Sequence, residues 1–119
     1  MEEAVRTFVP FQTPVRGHGF AATPRGARPP GPGQPAWLAR ERANPRDGWA
    51  IAVWVQDPTT GASWRIGYLD RAVGARLSPR LDQGMRVNAT ISDWWEAPGG
   101  RWQRPVVALR PAEAPRRAA

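Results

Sequence analysis

Residues 38–55 read Leu38-Ala39-Arg40-Glu41-Arg42-Ala43-Asn44-Pro45-Arg46-Asp47-Gly48-Trp49-Ala50-Ile51-Ala52-Val53-Trp54-Val55 and set the architecture. Ile51, Val53 and Val55 repeat with a period of two, as do Ala50, Ala52 and Trp54. Alternation of this kind is a strand signal, and apolar residues on both faces predict a strand at the buried centre of a sheet. Asn44, Pro45, Asp47 and Gly48 before it each favour a turn for a separate backbone reason. A strand over Trp37-Leu38-Ala39-Arg40-Glu41-Arg42 therefore enters the turn, and a second strand leaves it.

Outward from this unit the pattern continues. Asp57-Pro58-Thr59-Thr60-Gly61 predicts a hairpin turn, and Trp64, Ile66 and Tyr68 mark the returning strand. Asp70 follows the apolar Leu69 and has the chemistry of a helix N-cap. Val73, Leu77 and Leu81, four apart, predict one apolar helical stripe. Ser78-Pro79 looks like a cap and first-turn pair, which predicts a break and a second short turn. Met85, Val87, Ala89 and Ile91 alternate with Arg86, Asn88, Thr90 and Ser92 and predict a half-buried strand. A last strand is expected from Arg101 to Leu109, with Pro105 calling for a sheet edge or a bulge. Near the N-terminus, Val15-Arg16-Gly17-His18-Gly19-Phe20 reads as a short strand. The expected fold is mainly β: a small OB-like, partly open β-barrel of about six strands with one or two short helices.

Between these elements, residues 22–35 hold five Pro and three Gly and read as a mobile loop. The three-residue spacing of Pro29, Pro32 and Pro35 also fits a polyproline ligand. Residues 1–12 are expected to form an N-terminal segment, 13–110 the barrel domain and 111–119 a disordered tail.

Composition limits the chemistry. The chain has 119 residues, 17 basic and 10 acidic, for a net charge of +7, and every basic residue is arginine. There is no Cys and a single His, His18, so thiolate sites, disulfides and zinc fingers are excluded. No phosphate-binding loop or hydrolase motif is present, so no enzyme activity, cofactor or metal is expected. No apolar run is long enough to cross a bilayer, and the acidic Met1-Glu2-Glu3 is unlike a leader, so a cytoplasmic location is expected, at the nucleoid if DNA is bound; a monomer is expected. Seven Trp beside many arginines suit a binder of single-stranded nucleic acid, with rings for bases and guanidinium groups for phosphates. The same Trp also suit the core of a small barrel. Trp54 and Trp64 are expected there, and Trp49, beside a turn Gly, is expected to be exposed. Arg71, Arg76 and Arg80 form either a binding face or a solvated one.

Three segments in order, Leu38–Asp47, Ala50–Val53 and Ile66–Arg71, resemble the HIRAN domain. That family shows a strand ending in R-E or R-D, an N-P-x-D turn, A-I-x-V, then V-G-x-L and an apolar helix with a small residue, where Gly74 or Ala75 stands here. The resemblance spans about residues 13–110. It implies an OB-like barrel that captures the free 3′-hydroxyl end of single-stranded DNA and recruits a helicase or nuclease in repair, replication or restriction. By the same resemblance Asp47 meets the 3′-hydroxyl, held by the turn that Asn44 opens, and Phe20 stacks on a base. Arg71 and Tyr68 contact phosphates. Arg46 stands where the family has a stacking Tyr, Gly19 where it has a basic residue, and Trp49 where Asn is usual. An RNA-binding module, or a protein-interaction barrel without a nucleic-acid site, are the alternatives.

Overall fold

The computed structural model describes residues 8–18, 21–96, 98–100 and 103–112. Among these residues, six strands and one helix follow in chain order: β1 (Phe11–Pro14), β2 (Pro35–Arg40), β3 (Ile51–Gln56), β4 (Ser63–Tyr68), α1 (Arg71–Asp82), β5 (Val87–Glu96) and β6 (Gln103–Pro111). They make one antiparallel sheet in the order β1-β6-β5-β2-β3-β4. The strongly curled sheet brings its outer strands together at one point. Arg16, just past β1, pairs with Tyr68 at the end of β4. Arg16 N–H donates to the Tyr68 carbonyl at 2.7 Å, and Tyr68 N–H donates back at 2.8 Å. The result is a small, partly open OB-like barrel.

Alternation accounts for the core. Ile51, Val53 and Val55 of β3 face inward with Ile66 of β4, Ile91 of β5, and Val107 and Leu109 of β6, none more than 1% exposed. Each such side chain gains about 1.5–3 kcal/mol by leaving water, so the inward faces dominate the fold. As expected, β3 lies between two neighbours, β2 and β4, in the sheet.

Several boundaries differ from the expectations. The first strand is Phe11–Pro14, and only one bridge forms at Arg16, because Gly17 turns the chain at φ +74°. β2 runs Pro35–Arg40, earlier than the expected 37–42. α1 is one continuous helix that carries Pro79 inside it. Ser78 does not act as a cap; it is buried and gives its hydroxyl to the Trp49 carbonyl at 2.6 Å. Asp70 is the N-cap, its Oδ2 accepting from Ala72 N–H at 3.1 Å. Pro105 stands in β6, an interior strand, and the bulge it called for lies opposite, in β5 between Ile91 and Asp93. Trp64 is in the core, whereas Trp54 is half-buried on the outer face, parallel to Trp37 with centroids 6.4 Å apart.

Residues 22–34 have no helix or strand, yet they are tied to the barrel. Arg28 N–H donates to Asp57 Oδ1, Gly33 N–H to the Ile91 carbonyl, and the Trp94 indole to the Pro30 carbonyl, at 2.7–3.0 Å. Asp57, 1% exposed, also accepts from the Thr59 and Thr60 amides and the Thr60 hydroxyl. These bonds, the Arg28 amide foremost, hold its carboxyl below the ordinary carboxylate range. Gly19, Phe20, Trp102 and the tail from Glu113 lie outside the described residues.

Candidate nucleic-acid interface

The turn between β2 and β3 is built from its own side chains. Asn44 Oδ1 accepts from the amides of Arg46 (2.9 Å) and Asp47 (3.2 Å), an Asx turn that fixes the loop. Its amide nitrogen donates to Glu41 at 3.1 Å. Asp47 Oδ1 accepts from Trp49 N–H at 2.9 Å, which orients the carboxylate. From below, Arg40 donates to the carbonyls of Gly48 and Ala50. That arginine is itself held by Asp82, which also takes Arg42. The two guanidinium groups, Arg40 first, hold the Asp82 carboxyl below its ordinary range.

Helix α1 presses on this turn. A Cβ on Gly74 would lie 2.9 Å from the Trp49 carbonyl oxygen, so a small residue is needed at this point. Arg71, in the first helical turn and 75% exposed, reaches across to the loop. Its Nη2 donates to the Arg46 carbonyl at 3.1 Å, and its Nε stands 3.8 Å from Asp47 Oδ2.

Between β4 and the turn lies a cleft of about 230 Å³, lined by Asn44, Arg46, Asp47, Tyr68 and Arg71 among others. Five of the six expected site residues therefore converge, and the sixth, Phe20, lies outside the described residues. Asp47 Oδ2 faces Arg71 without a short hydrogen bond. No partner is seen for the exposed Arg46 guanidinium among the described residues, and Trp49 is 49% exposed, as expected. Tyr68 donates its hydroxyl to Glu41 at 2.8 Å and accepts from Arg65 at 2.7 Å. Burial first, then Glu41, pushes the phenol's pKa up, so it stays a donor at neutral pH.

Arg65 and Arg16 add cations that the sequence reading did not assign to the site. The Arg65 guanidinium carbon lies 4.9 Å from the Tyr68 ring centroid, and Arg16 pairs with Asp70 at 2.9 Å. Strict alternation would set Arg65 and Tyr68 on opposite faces. The register pairs Val53 with Gly67 but Trp54 with Arg65, so Ile66 is an extra residue and the bulge brings the two together. Arg76 and Arg80 do not join them; they line a separate groove of about 480 Å³ with Phe8, Phe11 and Leu77. His18 has a strand-end role: its Nδ1 donates to the Ile66 carbonyl at 2.9 Å, and its ring contacts Trp64 and Trp94. Among the described residues no His or carboxylate cluster could hold a metal, and no helix is long and apolar enough to cross a membrane.

Among the described residues the chain is thus a partly open OB-like barrel with one helix and an acid in an arginine-flanked cleft. The model of the HIRAN domain family matches residues 11–94, and the chain belongs to that family, whose domains are known for nucleic-acid binding rather than catalysis. The fold is similar to the crystal structure of the HIRAN domain of human HLTF, with a TM-score of 0.62 at 17% identity, covering 87% of this chain and 76% of that one. It is also similar to a Lactobacillus plantarum protein of known structure, with a TM-score of 0.52 at 22% identity, covering 86% and 99%. No curated protein matches the chain.

Proposed function

We propose that this chain is a non-enzymatic module that binds single-stranded DNA and takes its free 3′-hydroxyl end in the Asp47 cleft. The observation that carries this reading is the Asp47 carboxylate, with one oxygen spent on the Trp49 amide and the other turned to Arg71. A carboxylate accepts a hydrogen bond from a terminal hydroxyl and repels a terminal phosphate. Arg71 and Arg46 beside it suit the first internal phosphates, and a guanidinium plane at Arg46 can stack on a base. Phe20 supplies a further stacking ring in this reading. In the cell the module would deliver a helicase or nuclease to such ends.

Titration of labelled single-stranded ~10-mers ending in a 3′-hydroxyl or a 3′-phosphate, followed by anisotropy at two salt concentrations, tests it. The expected result is tighter binding of the hydroxyl end, lost in Asp47→Ala. Equal, salt-sensitive binding of both ends would leave a general single-strand binder. Absence of binding would turn the reading to a protein-interaction barrel. An RNA competitor of the same sequence separates the two nucleic acids through the 2′-hydroxyl.

A further inference from the structure

The outer face of β2–β3–β4 carries a row of rings and one cation that begins at the cleft and runs away from it. Directly opposite residues of neighbouring strands project from the same face. Trp37 of β2 pairs with Trp54 of β3, and Trp54 pairs with Arg65 of β4. Arg65 lies over Tyr68, and Tyr68 lines the cleft. The series Tyr68–Arg65–Trp54–Trp37 is therefore continuous across three strands, with neighbouring strands about 4.8 Å apart. The two indoles lie nearly parallel, 16° apart, and Trp37 is 41% exposed. An indole this exposed is not core filler.

We propose that this row is a second subsite, on which the nucleotides next to the captured end lay their bases on Trp37 and Trp54 while Arg65 meets a phosphate. The inference rests on the reading of the Asp47 cleft as an end-binding site. Two features select a nucleic acid as the occupant. The row is continuous with that cleft through Tyr68, and a guanidinium stands among flat rings, as stacking platforms for single strands require. The surface also belongs to a chain of net charge +7. An apolar protein segment would have to take the charged Arg65 head, 43% exposed and 3.6 Å from Glu41, out of water, which costs free energy.

The test uses oligothymidylates of two to eight nucleotides with free 3′-hydroxyls, titrated into the whole chain. Dinucleotides fill only the cleft, and longer strands reach the indoles. Affinity is expected to rise with length by roughly five- to 150-fold for a base stacked on an aromatic ring. Trp37→Thr, a strand-compatible change, removes that gain and leaves dinucleotide affinity unchanged, whereas Trp37→Phe keeps part of it. Quenching of tryptophan emission by the longer strands gives a second readout and shrinks in Trp37→Phe. If affinity is flat with length, or Trp37→Thr weakens all lengths alike, the subsite is overturned and the end-binding reading stands. If the unmodified chain shows no Asp47-dependent binding at any length, both fall.

Discussion

The Ser78 hydroxyl donates to the carbonyl oxygen of Trp49 across 2.6 Å and fastens the middle of α1 to the turn that carries Asp47. Gly74, one helical turn earlier, meets the same carbonyl group. A helix that would otherwise only cover the core thus sets the height of the loop, and with it the spacing between Asp47 and Arg71.

Replacing Ser78 by Ala leaves the part-buried Trp49 carbonyl without its donor, a loss of about 1 kcal/mol. Gly74→Ala forces helix and turn apart at comparable cost, about 1–3 kcal/mol for overpacking. Denaturant melts would measure both. Both changes are also expected to weaken 3′-end binding, whereas Arg110→Gln, on the exposed surface of β6, should alter neither.

Arg71→Gln removes the cation nearest Asp47. The expected outcome is a uniform drop in affinity across oligonucleotide sequences and a slope of log K against log salt smaller by about one. A change in sequence preference instead would assign Arg71 to a base.

Asp47→Asn keeps the size and the bond to Trp49 N–H but can no longer repel a terminal phosphate. Discrimination between 3′-hydroxyl and 3′-phosphate strands is expected to fall by about tenfold or more, the scale of one charge-assisted hydrogen bond. Competition anisotropy with the two ends reads this directly.

The pH dependence of stability has two edges. Asp57 and Asp82 have folded pKa values below the ordinary 3.8, so their contribution is complete above that pH and is lost as pH falls below it, through the lower folded values. Tyr68 has a folded pKa above the ordinary 10.0, so its contribution is complete below that pH and is lost as pH rises through the folded value. Thermal melts from acid to alkaline pH, spanning both edges, should show a plateau between them. Asp57→Asn should shrink the acid edge.

Much of this was legible in the sequence, for local reasons. The alternation of Ile51, Val53 and Val55, the turn residues Asn44 to Gly48 and the cap Asp70 each act within a few residues, and each stands as read. Long-range pairing decided the rest. The extra residue Ile66 is defined only against β3, so no periodicity could bring Arg65 beside Tyr68. Trp54 reads as core by composition, but its partner Trp37 lies on the outer face. Ser78 reads as a cap until the Trp49 carbonyl arrives from a segment 29 residues earlier. The Pro- and Gly-rich loop has little apolar periodicity of its own, and its order comes from Asp57 and Trp94 and from the burial of Pro30.

The pairing of Arg16 with Tyr68 gives the barrel a seam of two hydrogen bonds, and a Cβ on Gly67 beside it would run into the Arg16 carbonyl. Tyr68 also forms a wall of the cleft. A molecule with its seam parted would lose the Tyr68 wall of the cleft, so a strand held in the cleft, as proposed, would keep the seam together. Amide exchange at Arg16 and Tyr68 should slow when an oligonucleotide is bound, by a factor that grows with its affinity. The same two hydrogen bonds that join the outer strands thus also set one wall of the cleft.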